Sequence, residues 1–418
     1  MRDRDRNDID PRTMRGSFSL WRQERFQPFL DACADLLIER IGERNVRGIF
    51  LCGSFAADEG SVVFETKIPI ILSDVDLVVV LESLESMRAF YKIRNELGNA
   101  CEKLMPKARF SGHVDIGMFL SESLRGLPPR PGVFEMKALG RMLYGDDKVL
   151  DLIPTFEPAA IGTREAVILI ENRIISLLGA FFEKSGESRE NIYSFLYEVA
   201  RVYTDLATAA LCLTCLYRPG YRIRWELLRT AIEDQDLDLL RRLLPAELVS
   251  KIGRWTIFKL SPSIENHGIA TDDGFMMQLW EECERDILGF WRRGEAYVQD
   301  ADVTLADPPS VSTLLATRKR SGKWIDHYRN WNWYLSGLPR MRRISLFFAI
   351  GKRLLSMNPI DIVREQGVIL IDRHIDREAD GYIPKPPGGF PHPGGTWRDV
   401  TASLVSVWRE LVSGRKDS

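Results

Sequence analysis

Apolar residues between Trp21 and Glu43 recur at helical spacing, at Phe26, Phe29, Leu30, Cys33, Leu36, Leu37 and Ile41. That period predicts a helix with one buried face. VRGIFLCG, ending at Gly53, then predicts a short buried strand. A second strand, IILSDVDLVVVL, is rich in Val, Ile and Leu, and its apolar and acidic residues alternate around Asp74 and Asp76. SLESMRAFYKIRNELGNACEKLM predicts an amphipathic helix, and GHVDIGMFL a third strand with one carboxylate, Asp115, set among apolar neighbours. Helix, strand, strand, helix, strand is the α/β (α+β) pattern of a mixed sheet covered by helices.

The texture changes after Leu143-Tyr144-Gly145-Asp146 and the region of Pro154 and Pro158. Helical periodicity dominates beyond it, in VILIENRIISLLGAFFEK, the run from Ile192 to Leu216, WELLRTAI, LDLLRRLL and MMQLWEECERDILGFW. DVTLADPPSVS (302–312) predicts a Pro-interrupted linker. GYIPKPPGGFPHPGG (381–395) predicts a Pro/Gly loop that no helix interior or central strand could contain. TWRDVTASLVSVWRELV predicts a closing helix. The expected organisation is a flexible tail over 1–16, an α/β core over 17–155 and a mostly α-helical domain over 156–418, with no internal repeat.

Composition adds bounds. With 418 residues, two domains are expected. The formal net charge of -2 provides no whole-chain basic field, so attraction of nucleic acid would need a local cluster. Cysteines at 33, 52, 101, 212, 215 and 283 have neither the density of a disulfide scaffold nor zinc-finger pairing, which suits a reducing compartment. Cys212 and Cys215 form a CxxC in an apolar stretch and read as helix packing. MRDRDRNDIDPRTMRG lacks an apolar core, so it reads as neither signal peptide nor anchor, and no segment is apolar for long enough to span a bilayer. The expected location is cytoplasmic, with no membrane partner.

The chemistry lies in the acidic residues of the strands. Side chains two apart on a strand share a face, so Asp74 and Asp76 can aim at one point, and a neighbouring strand would add Asp115. Oxygen clusters of this kind suit a hard divalent cation, Mg²⁺ or Mn²⁺. Gly53-Ser54 is the complementary part, because a glycine at a turn lets backbone and hydroxyl approach phosphate oxygens. A phosphate site facing a metal site points to nucleoside triphosphate chemistry. The plain alternative is that Asp74 and Asp76 cap a strand edge and Asp115 pairs with an arginine such as Arg109.

As a set, Gly53-Ser54, Ser73-Asp74-Val75-Asp76-Leu77 and His113-Val114-Asp115-Ile116 resemble the motifs of the DNA polymerase beta-like nucleotidyltransferase superfamily. The resemblance spans roughly residues 20 to 150. It implies that Asp74 and Asp76 bind both metals and that Asp115 binds the catalytic metal and helps activate the acceptor hydroxyl. It also implies that Gly53 and Ser54 hold the triphosphate of an NTP donor. Leu143 to Asp146 resembles the segment closing this domain in small-substrate and antitoxin-type members. The stretch between Ser54 and Asp74 is longer than the family usually allows, which suggests an inserted hairpin or flap.

The implied reaction moves a nucleoside monophosphate from NTP to an acceptor, which the helical domain would select: a small molecule, a protein, an RNA end or a second nucleotide. Lesser candidates are His113 beside Asp115, and three cations that could face the triphosphate: Lys137 and Arg141 on the helix before Tyr144, and Arg201. Tyr193, Tyr197 and Asp205 read as packing or capping groups. Residues 318–343 mix six arginines and two lysines with Trp324, Tyr328, Trp331, Trp333 and Tyr334, the materials of an RNA surface or of an ordinary helix edge. Two other functional classes therefore stay open: an NTP-binding regulator without turnover, and an RNA-binding protein.

Overall fold

The computed structural model describes residues 18–183, 188–233, 238–300, 304–318, 359–375 and 397–413. The tail (1–16), the loop 381–395 and residues 319–343 of the basic–aromatic stretch lie outside them. The chain forms a helix-rich α+β fold with a small mixed sheet, divided into two compact units. One unit comprises the described residues up to Gly162 together with Cys215–Leu227 and Gly253–Ala270. The other holds the remaining described residues from Thr163 onward. Two later stretches of sequence thus belong to the unit that contains the sheet.

The sheet-bearing unit begins with a π-helical turn, Arg22–Phe26, leading into the helix Gln27–Ile41. Strand β1 (Val46–Leu51) follows, then the single helical turn Gly53–Ala56. The long stretch after Ser54 forms a hairpin of two short strands, β2 (Val62–Val63) and β3 (Ile70–Ile71). Next come β4 (Val75–Leu81), the helix Leu84–Glu102, β5 (Val114–Leu120), the helix Pro131–Leu139 and β6 (Arg141–Gly145). The order across the main sheet is β5-β4-β1-β6. β1 runs antiparallel to β4 and β6, while β4 and β5 run parallel, with the long helix as their crossover.

Alternation along β4 divides the core between two faces of the sheet. Val75, Leu77, Val79 and Leu81 join one cluster with Phe26, Phe29, Leu30, Phe90 and Leu97. Val78 and Val80 join the other, with Phe50, Cys52, Met136 and Val149. Asp76 is in phase with Val78 and Val80, so strand periodicity puts it on that second face, at the end where apolar cover stops.

Sequence and structure differ at two places here. The strand read as starting at Ile70 is interrupted: Ile70–Ile71 pair with β2, and the main sheet resumes only at Val75. Asp74 therefore precedes β4 instead of lying within it. The cause is the Ser61–Ser73 crossing, where Leu72 N–H donates to Ser61 O (2.9 Å) and Ser61 N–H donates to Ser73 Oγ (2.9 Å). Arg141, expected on a helix, lies on β6, because that helix ends at Leu139–Gly140 and Met142 and Tyr144 pair with β1.

The second unit is built on helices, the longest being Thr163–Glu183, Arg189–Leu213 and Asp273–Gln299, with Pro359–Ile375 and Trp397–Ser413 added later. The linker predicted over 302–312 runs at its end into a short helix, Val311–Thr317. Just beyond it, Arg318 has a side chain only 9% exposed and is paired with Glu295 (2.9 Å) and Glu171. The first residue of the basic–aromatic stretch is thus an internal anchor. Among the described residues no helix is long and apolar enough to cross a membrane.

Candidate functional site

Parallel pairing of β4 with β5 sets Asp76 directly opposite Asp115. Paired residues of adjacent strands share a face, so the register brings these two carboxylate-bearing positions together. Cys52 N–H donates to Asp76 O (2.8 Å), which ties the end of β1 to the start of β4. The chain then turns at Gly53 with φ +63°. A Cβ built on Gly53 would stand 2.1 Å from Asp76 Oδ2, so the carboxylate occupies the space a side chain would need. Glycine is required twice over, by the left-handed backbone and by the close approach of Asp76. Gly53, Asp76 and Asp115 therefore form one locus; Ser54 follows Gly53 in the same turn, and Asp74 lies two residues before Asp76.

Asp115 is the most open of the three carboxylates, with a side chain 57% exposed. Its partner is Arg94 of the helix Leu84–Glu102: Nη2 donates to Asp115 Oδ1 (3.0 Å) and Nε donates to Ile116 O (2.7 Å). The arginine beside Asp115 is thus Arg94 and not Arg109, whose own φ is +62° at the end of a short helix. A pair this exposed contributes roughly 0.2–1 kcal/mol, so it can open when a ligand competes.

The carboxylates of Asp74, Asp76 and Asp115 offer only hard oxygen donors, which fits Mg²⁺ or Mn²⁺ and disfavours softer metals. Among the described residues no three His, Cys, Asp or Glu side chains are gathered into a finished metal cage. Asp115 is turned to Arg94, and that rotamer would have to change. Cys52 is buried beside the turn, and burial and then the charges of Asp76 and Glu135 push its thiol far above the usual range.

Several residues that sequence reading overlooked form polar networks in the same unit, one of which reaches Ser73 beside Asp74. Glu59 caps the helix Tyr221–Glu233, accepting from Tyr221 N (2.6 Å) and Arg222 N (2.9 Å). Glu135 accepts from Tyr217 Oη (3.0 Å) and from Arg224 Nη1 (2.5 Å). Burial works against the Arg224 charge, but Glu135, with Tyr217 and Tyr221, outweighs it and holds the guanidinium above its ordinary range. Lys259 Nζ donates to Ser61 Oγ (2.9 Å) and Ser73 Oγ (3.1 Å). Arg224 and Lys259 both lie over the Tyr221 ring, at 4.5 and 4.8 Å from its centroid. No local pattern singles these residues out, since each is an ordinary helix or loop residue until the fold brings its partner to it.

The lesser candidates have other partners. His113 Nδ1 meets Glu102, whose Oε1 also accepts from Val114 N (3.2 Å). Lys137 Nζ donates to Leu150 O (2.9 Å), and Arg141 Nη2 donates to Asp58 Oδ2 (2.6 Å). In the helical unit, Arg201 pairs with Glu198 (2.8 Å), Asp205 pairs with Arg173 (2.7 Å), and Tyr193 and Tyr197 are buried. Cys212 is buried as read, whereas Cys215 is exposed past the helix end at φ +59°. Comparison of the chain with protein-family models, with curated proteins and with solved structures finds no match.

Proposed function

We propose that the sheet-bearing unit is the core of a polymerase beta-like nucleotidyltransferase, moving a nucleoside monophosphate from NTP to an acceptor hydroxyl or phosphate. The observation that carries this reading is the seating of the Asp76 carboxylate against a left-handed Gly53, with Asp115 in register on the next strand. An ordinary strand pair gains nothing from placing carboxylates opposite each other, because like charges repel. The divalent cation that accompanies a triphosphate would add positive charge between them, beside the Arg94 guanidinium already at Asp115.

In this reading the Gly53–Ser54 turn holds the phosphate tail, and Asp74, Asp76 and Asp115 hold Mg²⁺ or Mn²⁺. When bound, the metal neutralises phosphate charge and lowers the pKa of a coordinated oxygen. The acceptor oxygen bonds to the α-phosphorus, the α–β phosphoanhydride bond breaks, and pyrophosphate leaves. Asp115, freed from Arg94, takes the acceptor proton. Small molecules, proteins, RNA ends and second nucleotides all remain acceptor classes for this chemistry.

The test is incubation with each radiolabelled NTP, Mg²⁺ and cell extract, reading pyrophosphate release and the molecule that acquires label. Asp74→Ala and Asp76→Ala are each expected to abolish turnover in folded protein, and near wild-type turnover in both would refute the reading. The engagement of Asp115 by Arg94 favours a second reading, an NTP-binding regulator. Metal-dependent NTP binding without pyrophosphate release would select it.

A further inference from the structure

Ser73 and Asp74 lie between the hairpin and the main sheet, outside the ladder that begins when Val75 N–H donates to His113 O (2.9 Å). Their path depends on side chains. Ser73 Oγ accepts from Ser61 N–H (2.9 Å) and from Lys259 Nζ (3.1 Å), while Ser61 Oγ accepts from Lys259 Nζ (2.9 Å) and donates to Lys259 O (2.6 Å). All three residues are buried, with Lys259 only 1% exposed. Removing an ammonium from water costs several kcal/mol unless acceptors replace the solvent. Two hydroxyls and the face of Tyr221 are among the groups that do so here. An apolar side chain would fill the same volume more cheaply, so the charge itself calls for an explanation.

We propose that Lys259 is a positioning residue of the candidate site, its buried ammonium clamping the Ser61 and Ser73 hydroxyls and thereby fixing how the chain enters Asp74 and Asp76. The inference rests on the nucleotidyltransferase reading for its purpose, though not for its geometry. The clamp makes the inserted hairpin a fixed wall rather than a moving flap. Ser263 Oγ bonds Glu65 of the hairpin, and Ile71 N–H donates to Ser111 O (2.7 Å) on its other side. It also sets the Lys259 amine against Ser73, the residue before the first of the three aspartates.

The test uses the full chain and Lys259→Met, which keeps the length and loses the charge and donors. Two measurements are made well below the melting temperature and expressed per folded molecule. The first is binding of Mn²⁺ with each ribonucleoside triphosphate carrying a methylene bridge between its α- and β-phosphorus. The second is amide exchange over residues 61–76 and over β1. The expected result is at least a tenfold loss of Mn²⁺-dependent nucleotide affinity and faster exchange at 61–76 with β1 unchanged. Ser73→Ala is expected to have a smaller effect, and none when added to Lys259→Met.

Unchanged affinity and unchanged exchange in Lys259→Met, or a lowered melting temperature with neither, would overturn the proposal. If Lys259→Met does not fold, Ser73→Ala alone decides, and wild-type affinity and exchange there would overturn it. Should the wild-type chain bind no nucleotide with Mn²⁺, the nucleotidyltransferase reading fails. The exchange arm then judges the clamp alone.

Discussion

Gly53→Ala separates a turn that is merely tight from one that belongs to a reaction site. At φ +63° an L side chain costs about 1–2 kcal/mol. The new methyl would also lie 2.1 Å from Asp76 Oδ2 and 3.1 Å from its Cγ, so the carboxylate must retreat by about 1 Å or more to restore ordinary contact. A displacement of that size in a catalytic group reduces rate by roughly 100-fold. The expected outcome is therefore a loss of about 1–2 kcal/mol in urea unfolding and a roughly 100-fold fall in Mg²⁺-dependent pyrophosphate release per folded molecule. Gly145→Ala is the control. Its φ is +92° and its Cβ would meet Arg47 O at 2.3 Å and Gly48 Cα at 2.8 Å, a clash with the β1 backbone instead of a carboxylate. It should lose at least as much stability with a smaller loss of turnover per folded molecule. Equal turnover losses in the two variants, or a Gly53→Ala protein that is less stable but fully active, would refute the assignment of Gly53 and Asp76 to the site.

Other outcomes follow from individual contacts. Arg94→Ala should alter stability by less than about 1 kcal/mol, since the pair with Asp115 is exposed, while raising Mn²⁺ affinity measured by titration because Asp115 is released. Glu59→Ala should cost about 1–2 kcal/mol in urea unfolding, because its carboxylate caps the backbone N–H groups of Tyr221 and Arg222. In the helical unit Glu284 is 1% exposed, and among the described residues its hydrogen-bond partner is His374 at one oxygen (2.8 Å), with Glu281 and Arg285 as further charges acting on it. Burial pushes its carboxyl from the ordinary 4.5 up to about 7. The folded state therefore holds a proton that the unfolded state releases, and this stabilisation, of the order of 3 kcal/mol, is present below pH 4.5 and lost as pH rises through about 7. Glu284→Gln should remove that pH dependence, read as urea midpoints from pH 5 to 8 by the fluorescence of Trp280 and Trp397, whose rings flank His374. A slope unchanged by the substitution would show that another group titrates.

Much of the scaffold was legible in the sequence because it rests on local periodicity. The helix preceding β1, the strand β1 itself (which ends at Leu51, two residues before Gly53), the crossover helix and β5 follow from apolar residues recurring at helical or strand spacing, a property of each segment alone. Alternation around Asp76 likewise determined that this carboxylate leaves the Val75, Leu77 and Val79 face. Where the reading failed, a distant contact had overridden the local pattern. Ile70–Leu81 reads as one strand, but Ser61 captures Leu72 and Ser73 and divides it. Arg141 reads as helical, but β1 offers an unpaired edge that Met142 and Tyr144 fill.

Local pattern thus supplies the pieces: carboxylates on or beside strands, a Gly-Ser turn and a helical second half. Packing of the whole chain sets Asp76 opposite Asp115, brings Arg94 rather than Arg109 to that charge, and carries Lys259 back to Ser61 and Ser73. Register and buried polar pairing depend on the entire core. A carboxylate or ammonium takes whichever partner the packed elements leave within hydrogen-bond reach, and no spacing along the chain encodes that distance.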